Sequence, residues 1–344
     1  AEECIRDVLG GLVCSELCLR ERSDSHALDT ELFKVVADDL VTEYNVWPLL
    51  HCLGAQPVLE NGVVKGIVTE SKSGRQAVLA KQVIDASGDA DLAHRAGAPC
   101  SMAPSQELLG VTVSFSCSGV DVKGFLEYVK HKNPTLKDWS VKTTGKEDDL
   151  FSPFIKEPFE KAKSAGELPQ DIQLGGTRGT ITPDGDVTYI NVVYMRGYDP
   201  TNVWDLTRGE MEGRRHVMGA VEALKKYAPG FQKARLRNFS TALGTRESRK
   251  IVGRCNLTEQ DVRSQARFED TIGIFPEFLD GYGMLSIPTT GRYFQVPYGI
   301  ILPQKVENML VAGRCVAGDQ GSHAATRAMV CCALTGQGAG VAAA

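Results

Sequence analysis

The sequence predicts an α/β chain in which one domain is built from the two ends of the polypeptide and a β-rich α+β lobe is inserted between them. A short apolar strand that breaks at Gly-Asp and leads into a helix occurs twice. It is Val83-Ile-Asp-Ala-Ser-Gly-Asp89 towards one end and Leu310-Val-Ala-Gly-Arg-Cys-Val-Ala-Gly-Asp319 at the other. Turn dipeptides suited to hairpins punctuate much of the chain between, and near Gly110 alternating strands precede a Lys-rich stretch of weak periodicity. A folded chain of 344 residues hides roughly 75% of its unfolded surface, so neither a metal nor a disulfide is needed to hold it.

The elements run in order along the chain. Asp29 is placed to cap a helix running to about Tyr44, with Leu32, Val36 and Leu40 recurring every four residues and Phe33 widening an inward face. Val46 to Cys52 reads as a buried strand. Ala55 to Leu59, Val63 to Glu70 and Gln76 to Ala80, separated by Asn61-Gly62 and Ser73-Gly74, form an expected antiparallel meander. Gln82 to Ala86 is a short strand ending at Ser87-Gly88-Asp89, where a helix begins. Val111 to Cys117 opens the second lobe, and Arg178 to Thr182 with Val187 to Tyr194 flank a Pro183-Asp184-Gly185-Asp186 hairpin turn. Thr207 and Glu210 have capping-box spacing for a helix whose inward face carries Met211, Met218, Val221 and Leu224 and which ends before Pro229-Gly230. Leu236 to Leu243 and Arg246 to Val252 read as strands. Met309 to Ala312 is a buried strand, followed by a Gly- and Ala-rich helix from about Ala324.

Composition removes several functions. With 38 Lys plus Arg against 43 Asp plus Glu, a net charge of −5 and both signs dispersed, a nucleic-acid role is not favoured. No run approaches the roughly 18 apolar residues of a membrane helix. Ten cysteines in 344 residues fall well below the roughly 8–10% of a disulfide scaffold, and their spacing makes no zinc motif, so no metal site is expected. Adjacent Cys331 and Cys332 are read as small residues of a buried helix, with a reactive thiol pair as the alternative. There is no Gly-x-Ser-x-Gly elbow, no His-Glu-x-x-His helix and no phosphate loop ending in Gly-Lys-Ser/Thr. Gly336, Gly338 and Gly340 have the wrong spacing for a dinucleotide loop and are read as permitting close helix packing.

The two Gly-Asp turns carry the remaining chemistry. Glycine lets backbone approach a ligand, helix amides favour anionic or carbonyl oxygens, and Asp accepts hydrogen bonds from sugar-like hydroxyls. Each turn taken alone is equally compatible with an ordinary helix cap.

Three longer segments together resemble the FAD-dependent oxidoreductases related distantly to the succinate dehydrogenase and fumarate reductase flavoproteins. They are Ile84 to Pro99, Leu243-Gly-Thr-Arg-Glu-Ser-Arg-Lys-Ile-Val-Gly253, and Asn308 to Cys315 with Arg327 and Gly336-Gln337. The resemblance implies FAD as cofactor and an FAD-binding, Rossmann-like domain interrupted by a substrate lobe. The expected boundaries are 1–108 and 301–344 for the first and 109–300 for the second. The Gly-x-Gly-x-x-Gly loop that opens this family is not found in the sequence. An N-terminally truncated chain is therefore expected, incomplete in its FAD-binding domain, poor at holding FAD and inactive without the missing segment.

Family similarity assigns Ser87, Gly88, Asp89, Gly318 and Asp319 to the cofactor and brings Met329, Val330 and Cys331 near its ring. For Arg327, anchoring the flavin or its helix stands beside a plain ion pair. Arg246 is the first catalytic candidate, resembling an Arg that serves proton transfer or carboxylate binding in the fumarate-reducing relatives. His323 is the second, as a proton shuttle, with a structurally satisfied histidine as the alternative. Arg249, Arg292 and Tyr293 are also considered, and a strand through 245–250 would turn Arg246 and Arg249 to opposite faces. The expected reaction is hydride transfer between flavin and a small organic substrate, and the alternative is a noncatalytic descendant. Oligomeric state and compartment stay open, with the cytoplasm as default.

Overall fold

The computed structural model describes residues 30–130, 156–177, 181–286 and 291–344. The early strand of the 183–186 hairpin, the Lys-rich stretch, Cys4, Cys14 and Cys18 fall wholly or partly outside these residues.

From the amino end come α1 (Thr30–Glu43) and the strands β1 (Leu53–Glu60), β2 (Val63–Ser71) and β3 (Gly74–Leu79). β4 (Val83–Asp85) feeds α2 (Asp91–Arg95) and β5 (Cys100–Ser101). Next are β6 (Val111–Thr112), β7 (Phe115–Ser118), α3 (Val122–Lys130), α4 (Glu157–Ser164), β8 (Gln173–Thr177), β9 (Val187–Met195), α5 (Val203–Tyr227) and β10 (Arg235–Phe239). Then come β11 (Lys250–Ile251), α6 (Glu259–Arg263), β12 (Thr271–Pro276), β13 (Leu279–Gly281), β14 (Met284–Ser286) and β15 (Tyr293–Pro297). β16 (Met309–Val311), α7 (Gln320–Thr326) and α8 (Met329–Ala343) close the chain. The result is a mixed α/β fold of several small sheets, consistent with an FAD-binding domain.

Two compact units are present. The first takes Ala1–Ser101, Arg249–Asp280 and Pro288–Ala344, and the second takes Met102–Ser248 with Gly281–Ile287. The segment from Arg249 to Asp280, placed in the middle lobe by the sequence reading, thus packs with the chain ends. β11 pairs antiparallel with β5, and Asp319 binds the first turn of α6, which gives a physical reason.

In the first unit, β1, β2 and β3 form the expected meander. Glu60 pairs with Val63 across Asn61-Gly62, whose φ values of 52° and 81° suit a two-residue hairpin loop. β16 lies parallel to β4, with Met309 opposite Val83 and Val311 opposite Asp85. β12 and β15 pair antiparallel, with Phe275 and Phe294 edge to face at 6.0 Å.

Several expectations fail here. Val46 to Cys52 is no strand, and Trp47 is 90% exposed. Pro48 has no N–H for a ladder, and Asn45 and His51 take positive φ on either side. The α1 stripe is not deeply buried, since Leu32 is exposed and Phe33, Val36 and Leu40 are only half-buried. The Gly-rich helix is two helices, because extended backbone at Ala328 (ψ 138°) separates α7 from α8. Of its glycines, Gly338 packs against Ile272, whereas Gly336 and Gly340 face open space.

In the second unit, β9 runs beside β6, β7 and β8, and β10 pairs with β7. Its core gathers Phe115, Phe125, Phe159, Ile190, Leu224 and Phe231. Phe125 and Phe231 meet edge to face at 5.0 Å. α5 starts a turn earlier than expected, because Asn202 caps it by accepting the Trp204 N–H. Thr207 instead bonds within the helix to the Val203 carbonyl. Met211 and Met218 point outward, and the buried face is Gly213, Val217, Ala220, Val221 and Leu224. Small residues are required there, since a Cβ on Gly213 would lie 2.9 Å from the Met195 methyl. The strands expected at 236–243 and 246–252 shrink to β10 and β11, and 245–249 is irregular.

Candidate functional site

β4 and β16 end side by side; the first Gly-Asp turn follows β4 directly, whereas Gly318-Asp319 lies seven residues beyond the end of β16, with Gly318 bridged to Leu257. In open α/β sheets the carboxyl ends of parallel strands are where nucleotides bind. Asp85, the last residue of β4, is fully buried and organises the first turn. Its carboxylate accepts the Ser87 N–H at 3.0 Å and the Ala93 N–H at 2.8 Å. Ser87 Oγ accepts the Asp91 N–H at 3.0 Å, which ties this hydroxyl to the start of α2. Gly88 has φ 81° and Ala90 has φ 53°, so the backbone reverses sharply between them. Asp89 is held by Arg314, whose Nη2 donates to its Oδ1 at 2.8 Å. Arg249 donates from Nε to the Asp89 carbonyl at 3.0 Å and pairs through Nη2 with Asp91 at 2.5 Å. Arg249 is thus tied into this turn.

At the second turn, Asp319 caps α7 by accepting the Ser322 N–H at 2.7 Å, and it also accepts the Glu259 N–H at 3.0 Å. It is exposed all the same, and a carboxylate with about four acceptor positions keeps room for further donors. Gly318 is required locally, because a Cβ there would overlap Ser322 Oγ and lie 3.0 Å from the Leu257 carbonyl oxygen. Arg327 forms the ion pair considered from sequence, reaching Asp280 Oδ2 at 3.3 Å and its carbonyl oxygen at 3.1 Å from Nε.

α8 begins at Met329 with no side-chain cap, so its first turn carries partial positive charge without a capping side chain. Met329 is exposed, Val330 half-buried and Cys331 buried. Gly313, between β16 and the second turn, donates to Thr335 Oγ1 of α8 at 2.9 Å, and its own Cβ position is open space.

The match to a family model described as FAD dependent oxidoreductase runs from residue 3 to residue 344. The chain belongs to this family. No curated protein matches it. FAD is therefore the cofactor of this oxidoreductase, and the function is flavin-linked redox chemistry. The residues present fit such a group: an open strand end at Gly313, an exposed Asp319 carboxylate and a first helical turn of α8 without a side-chain cap.

The other candidates have their own surroundings. His323 lies in α7 and is 1% exposed, which leaves its ring little direct exchange with solvent. Arg246 belongs to the second unit, where its guanidinium lies 5.3 Å from the centre of the Tyr194 ring. Its neighbour Glu247 is fully buried and accepts the Leu109 N–H at 2.9 Å. Arg292 of the oxidoreductase pairs with Glu277 at 2.5 Å, and Tyr293 lies under Arg267.

The buried thiols of Cys315 and Cys331 are poor nucleophiles. Burial pushes Cys315 up to about 12 and raises Cys331 strongly as well. Among the described residues no cluster of His, Cys, Asp and Glu could hold a metal, and no helix is long and apolar enough to cross a membrane.

Sequence reasoning missed Asp85 and Arg314. Asp85 had a local signal, a carboxylate closing an apolar strand just before a Gly turn. Arg314 had none, since its partner lies 225 residues away in sequence.

Proposed function

We propose that this oxidoreductase transfers a hydride between FAD and a small organic substrate. The observation that carries the reading is the parallel pairing of β4 with β16, which sets side by side the two segments that go on to the Gly-Asp turns. In this reading the backbone of Ser87, Gly88 and Asp89 lines the cofactor, and Gly318 lets the second turn sit close. Asp319 accepts hydrogen bonds from FAD hydroxyls with the lone pairs its two backbone bonds leave. The amides of Met329, Val330 and Cys331 offer positive potential where negative charge develops on the ring. Arg327, through Asp280, fixes the start of α8. Bound FAD supplies the two-electron acceptor or donor that no protein side chain provides.

Arg246 is proposed to bind an anionic group of the substrate, with the Tyr194 ring steadying its guanidinium. The burial of His323 supports a positioning role over proton exchange. The test is the visible flavin spectrum of the purified full-length protein, followed by anaerobic bleaching with a panel of small hydroxy, amino and unsaturated acids. Arg246→Ala is expected to keep the spectrum and lose the bleaching. A protein that stays colourless after reconstitution with FAD would overturn the reading, and unchanged bleaching in the variant would remove Arg246 from it.

A further inference from the structure

We infer that Arg314 is a positioning residue for the cofactor, clamping the Gly88–Ala90 turn together with Arg249 so that the turn is held in its FAD-binding shape. The inference rests on the flavin reading above. A glycine at 88 suggests room left for a ligand, yet that room is taken by protein. A Cβ added to Gly88 would lie 2.8 Å from Arg314 Nη2. The same nitrogen donates to Asp89 Oδ1 at 2.8 Å, and the two side chains are only 18% and 23% exposed. The neighbouring Cys315 is fully buried, and its thiol donates to the Ala312 carbonyl at 3.7 Å. From the other side, Arg249 holds the Asp89 carbonyl and the Asp91 carboxylate.

The turn needs such support. Ala90 at φ 53° occupies the left-handed region without being glycine, which costs roughly 1–2 kcal/mol. β4 and β16 contribute three residues each, so the ladder alone does little to fix the turn beyond either strand. Two arginines and two aspartates meet with their charges balanced, and removing one takes a charged partner from a partly buried group. The Asp89 carboxylate thus serves the clamp through Oδ1, and the turn serves FAD through its backbone.

The experiment is FAD titration of the full-length protein by flavin fluorescence, with visible circular dichroism of the bound flavin. Arg314→Met keeps the apolar stem and removes the charge, and about tenfold weaker FAD binding with an altered dichroic band is expected. Arg314→Lys should recover most of both. Asp89→Asn, which preserves the side-chain shape, should weaken binding similarly, and combining it with Arg314→Met should add little further. Wild-type affinity in both single variants, additive losses in the double variant, or failure of lysine to rescue would overturn the clamp while leaving the flavin reading intact. A wild-type protein that takes up no FAD would remove both.

Discussion

Replacing Asp319 separates two duties that one carboxylate performs. Its Oδ1 accepts the Ser322 N–H at 2.7 Å, capping α7, and its oxygens accept the Glu259 N–H at 3.1 and 3.0 Å, tying α6 to α7. Loss of an N-cap acceptor costs about 0.5–2 kcal/mol. The second bond, made at an exposed carboxylate, adds about 0.5–1 kcal/mol. Asp319→Ala should therefore destabilise the FAD-free protein by about 1–3 kcal/mol. Asp319→Asn retains an acceptor oxygen, and Asn caps about as well as Asp, so its loss should stay near 0.5 kcal/mol. FAD affinity should rank differently, because exchanging a charged acceptor for a neutral one at a sugar-like hydroxyl costs about 1 kcal/mol, or roughly fivefold. Urea unfolding midpoints of the FAD-free variants and FAD titrations of the folded ones measure the two effects separately. Midpoints identical to wild type in the Ala variant would refute the double cap, and an Asn variant with unchanged FAD affinity would refute the cofactor role.

Packing and titration set other outcomes. Gly253→Ala places a Cβ 2.6 Å from the Cys255 carbonyl oxygen and 2.8 Å from that of Gly299, so it should cost about 1–3 kcal/mol, and a wild-type thermal midpoint would contradict the close approach. Cys315 and Cys331 should resist iodoacetamide near neutral pH in the native protein and react in urea, as read by mass spectrometry of peptides. Rapid native labelling would show them accessible. Tyr198 is pushed up to about 12 by burial and by its hydrogen bond to Glu212, from an ordinary 10.0. Because the folded value lies above the unfolded one, its contribution is whole below pH 10 and is lost as pH rises towards 12. Tyr198→Phe should flatten the stability profile across that window, and a profile as steep as wild type would exclude this phenol as the titrating group.

The legible features of the sequence were local. Asn61-Gly62 fixes a two-residue hairpin because both residues tolerate positive φ, so the meander could be placed almost to the residue. The helix starts and strand ends around Ser87 to Asp89 and Gly318-Asp319 carried their own punctuation. The illegible parts depend on distant partners. Nothing near Asp319 announces the Glu259 amide it also binds, and nothing near Arg314 announces Asp89. Apolar content misled at Val46 to Cys52, where Pro48 and flanking positive φ override it, and on α5, where glycines rather than methionines face the sheet. Arg246 and Arg249 were weighed as strand neighbours, whereas irregular backbone at 245–249 removes the alternation on which that comparison rested.

The parallel ladder of β4 and β16 also sets a schedule for synthesis. Arg314 and Asp89 are 225 residues apart, so a ribosome adding roughly 5–20 residues per second emits the first turn roughly 10–45 s before its partner exists. During that interval Val83 and Ile84 lack their β16 mates Met309 and Leu310, and the nascent chain is exposed to mispairing and to chaperone capture. Translation speed over the second unit should therefore influence how much of this protein reaches its native state.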